Sequence, residues 1–294
     1  MFPDINHIAL DRLGKINGST IPVSVLRTDL IHPVISGNKW FKLRFYLDEA
    51  VKQGYKTIGS FGGAYSNHIV ALAAAARMNG LSSIGIIRGE ADDSPTLQEA
   101  REWGMKTIPV SRQSFKVREE IISAFPNTNE IYWVDEGGYG ILGAKGASTI
   151  LSVMDCSGFT HILCACGTGT MAAGLIMSAA EHQNIIGISV LKNNLSLEES
   201  IAGLLPVALH KKIKSLHDYH FGGYAKHPKQ LIAYMNDFHQ RTHIPSDIVY
   251  TSKLFYAAED LIQKGYFEEN ANVLLIHSGG LQGNRSLSKN TLCF

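Results

Sequence analysis

The sequence predicts an α/β fold built mainly on parallel sheet. Short β-branched segments alternate with helical runs of about ten to fifteen residues, the pattern of βαβ units. Each apparent strand is apolar throughout, as strands covered on both faces are. Several strands end in glycine-rich turns, where such folds place their ligands.

In chain order, a strand over 56–60 ends in Phe61-Gly62-Gly63 and leads into an alanine-rich helix over 69–78. Strands over 83–88 and 106–110 flank a helix over 95–103, with the pair Asp92-Asp93 read as its start. A helix over 115–125, a strand over 131–134 and a helix over 143–153 follow, with Glu136-Gly137-Gly138 between the last two. Residues 161–166 read as a buried strand, followed by a helix over 171–180, a strand over 185–190 and a helix over 197–205. Helices over 230–239 and 251–263 precede a last strand over 273–277. No repeat or low-complexity segment interrupts the alternation.

At 294 residues the chain has room for two ordinary domains or one large α/β unit. Hydrophobic residues make up 45% and charged residues 18%, which supports a sizeable core and argues against wholesale disorder. The 27 basic and 26 acidic side chains nearly cancel, so the charge asks for neither nucleic acid nor an anionic membrane. The first residues show no signal-peptide pattern, and the longest apolar run, 69–76, is too short to cross a bilayer. A soluble cytoplasmic protein is the expectation. Cys156, Cys164, Cys166 and Cys293 have neither metal-ligand spacing nor disulfide density. Cys164 and Cys166 are read as facing opposite sides of their strand.

The stretch Ser36-Gly37-Asn38-Lys39 opens an amphipathic run, with Asn38 expected as helix N-cap and Lys39 in the first turn. A cation there faces the positive end of the helix dipole. An amine nucleophile needs its pKa lowered from about 10.4, and positive potential and burial both lower it. The plain alternative is a solvated lysine. Cys166-Gly167-Thr168-Gly169-Thr170 joins a strand to a helix with close-approach glycines, free amides and hydroxyls. It has the form of a phosphate cradle without the lysine of a P-loop, or else is a tight turn needing small residues.

Three further strand or loop ends carry polar residues. In Gly62-Gly63-Ala64-Tyr65-Ser66-Asn67-His68, Ser66 and Asn67 either cap the next helix or hold a carboxylate. Tyr250, in Val249-Tyr250-Thr251, and Tyr224, in a glycine turn, are packing residues or ligand neighbours. Ser278, in His277-Ser278-Gly279-Gly280, is a hydrogen-bond partner for a ligand or a simple strand end. The histidines and carboxylates form no metal-binding pattern.

Taken together, these stretches resemble the pyridoxal-phosphate (PLP) enzymes that include 1-aminocyclopropane-1-carboxylate (ACC) deaminase and D-cysteine desulfhydrase, of the tryptophan-synthase-β-like fold type II. The resemblance runs from about Ser36 to Gly280. It is most specific at Gly37-Asn38-Lys39 with Lys42-Leu43, at Gly62-Gly63 with Ser66-Asn67-His68, and at Val249-Tyr250-Thr251. It implies two three-layer αβα domains with the cofactor in the cleft between them: a large one of residues 1–42 and 148–294, and a small one of 43–147. It implies that Lys39 carries PLP and that Asn67 meets the ring hydroxyl. Gly167, Thr168, Gly169 and Thr170 would hold the phosphate, and Thr251 or Ser278 would meet the pyridine nitrogen. Ser66 would sit by the substrate carboxylate, with Tyr224 and Tyr250 flanking a small amino-acid substrate. A homodimer is also implied.

A neutral hydroxyl at the pyridine nitrogen makes the ring a weaker electron sink, which favours expulsion of a β-leaving group over transamination. Lys39 is then the base for the Cα proton. The family's ACC deaminases carry Glu directly after the tyrosine matching Tyr250, where this chain has Thr251, and commonly Gln where it has Tyr65. Thr251 therefore points to desulfhydration of D-cysteine, giving pyruvate, hydrogen sulfide and ammonia. ACC deamination is the alternative, and a non-covalent phosphate- or nucleotide-binding protein is the alternative of another class.

Overall fold

The computed structural model describes residues 5–16, 18–89 and 93–294. The chain enters through an antiparallel pair, β1 (Ala9–Lys15) and β2 (Pro22–Arg27), and crosses into helix α1 (Asn38–Lys52). Next come β3 (Thr57–Gly63), α2 (Asn67–Met78), β4 (Ser82–Arg88), α3 (Pro95–Glu102), β5 (Met105–Val110), α4 (Arg118–Ser123) and β6 (Ile131–Val134). These four strands form a parallel sheet of order β5-β4-β3-β6. After α5 (Ile141–Ala147) the chain continues through β7 (His161–Cys166), α6 (Thr170–Ser178), β8 (Asn184–Ser189), α7 (Leu197–Ala202) and β9 (Ser215–Leu216). It closes with α8 (Lys229–Thr242), α9 (Thr251–Gln263) and β10 (Val273–Ile276). The second sheet has the order β1-β2-β10-β7-β8-β9 and is parallel except for the β1–β2 pair.

The expected alternation is therefore present, with mainly parallel sheet. Its departures have local causes. The β1–β2 pair was not foreseen, because Asp11, Arg12, Ser24 and Arg27 interrupt its apolar residues. The helix expected over 115–125 divides into a 3-10 turn, Ser114–Lys116, and the short α4. The helix expected over 143–153 starts earlier and stops at Ala147, with a separate 3-10 turn at Ile150–Ser152. Of the pair Asp92-Asp93, Asp92 lies outside the described residues. Ser94 caps α3, its Oγ accepting from Leu97 N–H at 3.2 Å.

One sequence expectation was geometrically wrong. Cys164 and Cys166 do not face opposite sides of β7; their sulfurs lie 3.9 Å apart. Residues two apart on a strand share a face, because the side-chain period is two. Both thiols are buried in one hydrophobic cluster.

Two features of packing position the site. Helix α2 is buried over residues 67–76, and its small alanines let α1, α3, β3 and β4 close around it. Helices α1 and α5 approach so closely at Gly146 that a Cβ there would collide with the Phe41 carbonyl. These contacts tie the four-stranded sheet to the helix that begins with Asn38 and Lys39. The carboxyl ends of β3, β6, β7 and β8 consequently open onto one space between the two sheets. No helix among the described residues is long and apolar enough to cross a membrane.

Candidate active site

That space is a cavity of about 340 Å³. Helix α1 brings Lys39 and Lys42 to its wall, the β3–α2 turn brings Ser66, Asn67 and His68, and the turn after β7 brings Gly167, Thr168, Gly169 and Thr170. Tyr224 and Tyr250 line it from the second half of the chain, with Arg88 and Glu136 from the smaller sheet. Residues far apart in sequence thus converge where α/β folds bind ligands.

The start of α1 differs from expectation in one detail. Asn38 is the first helical residue and Gly37 is the N-cap, at φ 58 and ψ −138. Only glycine occupies that backbone region readily. A Cβ on Gly37 would also fall onto the Ser278 carbonyl, which accepts a hydrogen bond from Asn38 N–H at 3.3 Å. The Asn38 side chain, freed from capping, accepts from Lys39 Nζ at 2.6 Å.

Burial lowers the Lys39 amine to about 8, against the opposing pull of Asp247. Lys42 lies one turn further along the same helix face and donates to the Gly137 carbonyl. Burial and then the neighbouring Lys39 push its pKa well down. His68 is held neutral by burial and by both lysines. Its Nε2 lies 2.8 Å from Ser60 Oγ, which donates onward to the Asp135 carbonyl. Its Nδ1 is buried without a partner among the described residues. Glu136 pairs with Arg118 at 2.6 Å, so it does not offset the positive charge that Lys39 and Arg88 bring to the cavity wall.

The turn after β7 has the geometry of an anion cradle. Gly169 adopts φ 78 as the N-cap of α6, and a Cβ there would crowd Ile201 and Leu197. The Thr168 and Thr170 hydroxyls share a hydrogen bond of 2.9 Å at the cavity wall, beside the first amides of α6. Ser66 both lines the cavity and caps α2, accepting from Ile69 N–H at 3.4 Å. Asn67 donates to the Gly280 carbonyl at 3.3 Å, while its Oδ1 is buried and has no partner among the described residues. Tyr250 lies beside Lys39, with Nζ 5.7 Å from its ring centre. Burial raises the Tyr250 hydroxyl well above its ordinary value and the Tyr224 hydroxyl to about 12, so both keep their protons.

The two hydroxyls expected at the pyridine nitrogen are placed differently, and neither lines the cavity. Thr251 is fully committed to Asp247: its Oγ1 donates to Asp247 Oδ1 at 2.7 Å and accepts from Asp247 N–H at 2.7 Å. Ser278 lies against the first turn of α1, and its hydroxyl has no partner among the described residues.

Several residues of the site were missed from sequence. Lys42 was legible as the same-face partner of Lys39, three residues on. Asp247 is fully buried and receives the Val249, Tyr250 and Thr251 amides at 2.8–3.0 Å, fixing the start of α9 and the Tyr250 ring. An acidic residue just ahead of a helix was its only signal. Lys253 is wholly buried and donates to the carbonyls of Val190 and Gly223, next to Tyr224. A lysine on an apolar helix face gave no signal of that role.

The donor set suits PLP: an amine with lowered basicity, a cradle of amide and hydroxyl donors for a phosphate, and the orphaned amide oxygen of Asn67 for a ring hydroxyl. A family model described as "Pyridoxal-phosphate dependent enzyme" matches residues 7–279. The chain belongs to this family. As a PLP-dependent enzyme it has the fold-type-II architecture, and a crystal structure titled as an ACC deaminase homologue superimposes with a TM-score of 0.80 at 26% identity, covering 96% of this chain and 93% of that one. Among curated relatives, "Putative 1-aminocyclopropane-1-carboxylate deaminase" of Thermotoga maritima is 30% identical, with 93% of each chain covered. The "Bifunctional D-cysteine desulfhydrase/1-aminocyclopropane-1-carboxylate deaminase, mitochondrial" of Arabidopsis thaliana is 28% identical over 92% of this chain and 74% of its own. Among the described residues no group of three or more His, Cys, Asp or Glu is placed to hold a metal ion.

Proposed function

We propose that this PLP enzyme catalyses β-elimination and deamination of a small amino acid, most specifically D-cysteine. One D-cysteine and one water would give pyruvate, hydrogen sulfide and ammonia. The observation that carries the reading is Lys39, its amine lowered to about 8 in the same cavity as the 167–170 turn. PLP, when bound, supplies the electron sink that lets the Cα–H bond break.

The remaining roles belong to the chain. Lys39 Nζ takes the Cα proton: lowering its pKa from 10.5 raises the neutral amine fraction at pH 7 by roughly 300-fold. Gly167, Thr168, Gly169 and Thr170 would hold the phosphate through the amides and hydroxyls of their turn. Asn67 Oδ1 takes the ring hydroxyl. Ser278, rather than Thr251, is the hydroxyl left for the pyridine nitrogen. Ser66 and the first amides of α2 hold the substrate carboxylate. Tyr250 and Tyr224 stay protonated and donate to the departing sulfur, which leaves with the Cβ–S electron pair and is released as hydrogen sulfide. Residues 1–42 with 148–294, and 43–147, are assigned as the two domains that meet at this cleft.

Two things support desulfhydration over ACC deamination. Thr251 stands where the ACC deaminases carry Glu, and a carboxylate there would face the buried Asp247 at hydrogen-bond distance. The ACC reading is supported in turn by the name of the Thermotoga relative. Parallel assays of pyruvate from D-cysteine and 2-oxobutanoate from ACC separate them. Product from ACC alone overturns the desulfhydrase reading.

A further inference from the structure

A second cavity, of about 500 Å³, adjoins the first and shares Gly63, Arg88 and Tyr224 with it. Its charged lining residues are two arginines, Arg88 and Arg112, accompanied by Tyr65 and Ser111. The sheet explains the convergence. Arg88 ends β4 opposite Val110 at the end of β5, and Gly89 N–H donates to the Val110 carbonyl at 2.8 Å. Ser111 and Arg112 therefore leave the sheet beside Arg88, at the carboxyl edge where ligands bind. The Arg88 guanidinium stacks 5.4 Å from the Phe115 ring centre, which limits its freedom. Neither arginine pairs with a carboxylate among the described residues, although Arg27, Arg101, Arg118, Arg241 and Arg285 all do.

A cavity adjoining the Lys39 site, bearing two guanidinium groups with no carboxylate partner and no acid among its described lining residues, fits an anion. The anion would belong to the same molecule that reaches Lys39, since Arg88 and Tyr224 face both spaces. We infer that Arg88 and Arg112 form a subsite for an acidic group, carboxylate or sulfonate, on the side chain of the substrate. This rests on the PLP reading alone and not on D-cysteine, whose side chain is neutral, as the substrate: amino acids with an anionic side chain are bound in preference to neutral ones of the same shape. Tyr65, where the family commonly has Gln, forms part of the wall of this subsite and not of the Lys39 cavity.

The test is calorimetric and independent of turnover. PLP-loaded protein is titrated with aspartate against asparagine and glutamate against glutamine, as both enantiomers. In at least one pair the acid binds about tenfold or more tighter than its amide. The ratio falls to about one in the Arg88→Gln/Arg112→Gln double variant, and Arg88→Lys retains part of it. Both side chains are exposed, so folding is not at stake, and a melting curve checks it. Equal affinities for acids and amides in the wild type, or a preference that survives the double substitution, overturns the subsite. A protein that takes up no PLP, seen as no visible absorbance, overturns the functional reading itself, and with it the amino-acid ligand. The two failures are distinguishable.

Discussion

Replacing Lys39 with methionine should stabilise the cofactor-free protein while abolishing its capacity to carry PLP. Burial takes the Lys39 amine from 10.5 to about 8. At about 1.4 kcal/mol per tenfold in proton affinity, the folded state loses about 3 kcal/mol by holding the charged amine at neutral pH. The hydrogen bond to Asn38 returns about 1 kcal/mol, so Lys39→Met gains about 2 kcal/mol net. The sign with pH follows from the lowered value. Below pH 8 both states are protonated and the penalty is complete. Between about 8 and 10.5 the unfolded chain binds more protons than the folded one, so wild-type stability rises and the penalty fades. Urea unfolding in phosphate-free buffer at pH 7 and pH 10.5 measures this. A variant less stable than wild type at pH 7, or a stability gap unchanged between the two pH values, refutes the reasoning.

Three other outcomes follow from the same geometry. Gly37→Ala forces a side chain into φ 58 and against the Ser278 carbonyl, and should cost about 3 kcal/mol or more in urea unfolding; a loss below about 1 kcal/mol contradicts it. His68, held well below 6.5 by burial and two lysines, should remain neutral at pH 5.5 in an NMR titration. Because the unfolded chain does take up that proton, His68 should contribute a loss of stability as pH falls through 6.5. Lys253→Met relieves a buried amine lowered to about 8 but orphans the Val190 and Gly223 carbonyls, so stability should change by no more than about 1 kcal/mol. Its effect should fall on Tyr224: KM should rise more than kcat falls, and a variant with wild-type kinetics would show that the Gly223 contact positions nothing.

Much of the fold was legible because parallel strands buried on both faces leave an unbroken apolar signature; 131–134 and 161–166 match their strands residue for residue, as 251–263 matches its helix. The antiparallel entry was not legible, since β1 and β2 carry charged residues within their runs. Convergence was the part of the site that sequence could imply only through resemblance. Nothing local in Thr168, Asn67 or Tyr224 says that they share a cavity with Lys39. Thr251 shows the opposite failure. A residue singled out by its position after Tyr250 spends its hydroxyl on Asp247, a fully buried cap marked only by lying ahead of a helix. Arg88 was an ordinary basic residue until tertiary structure aimed it at a cavity.

The proposed chemistry places the cofactor on Lys39 and not on its neighbour Lys42 one turn away. Borohydride reduction of the PLP-loaded protein, followed by peptide mass mapping, tests it directly. One phosphopyridoxyl label is expected, on Lys39, with its loss in Lys39→Met and Lys42 still unlabelled. A label on Lys42, or none on a protein that has taken up PLP, contradicts it.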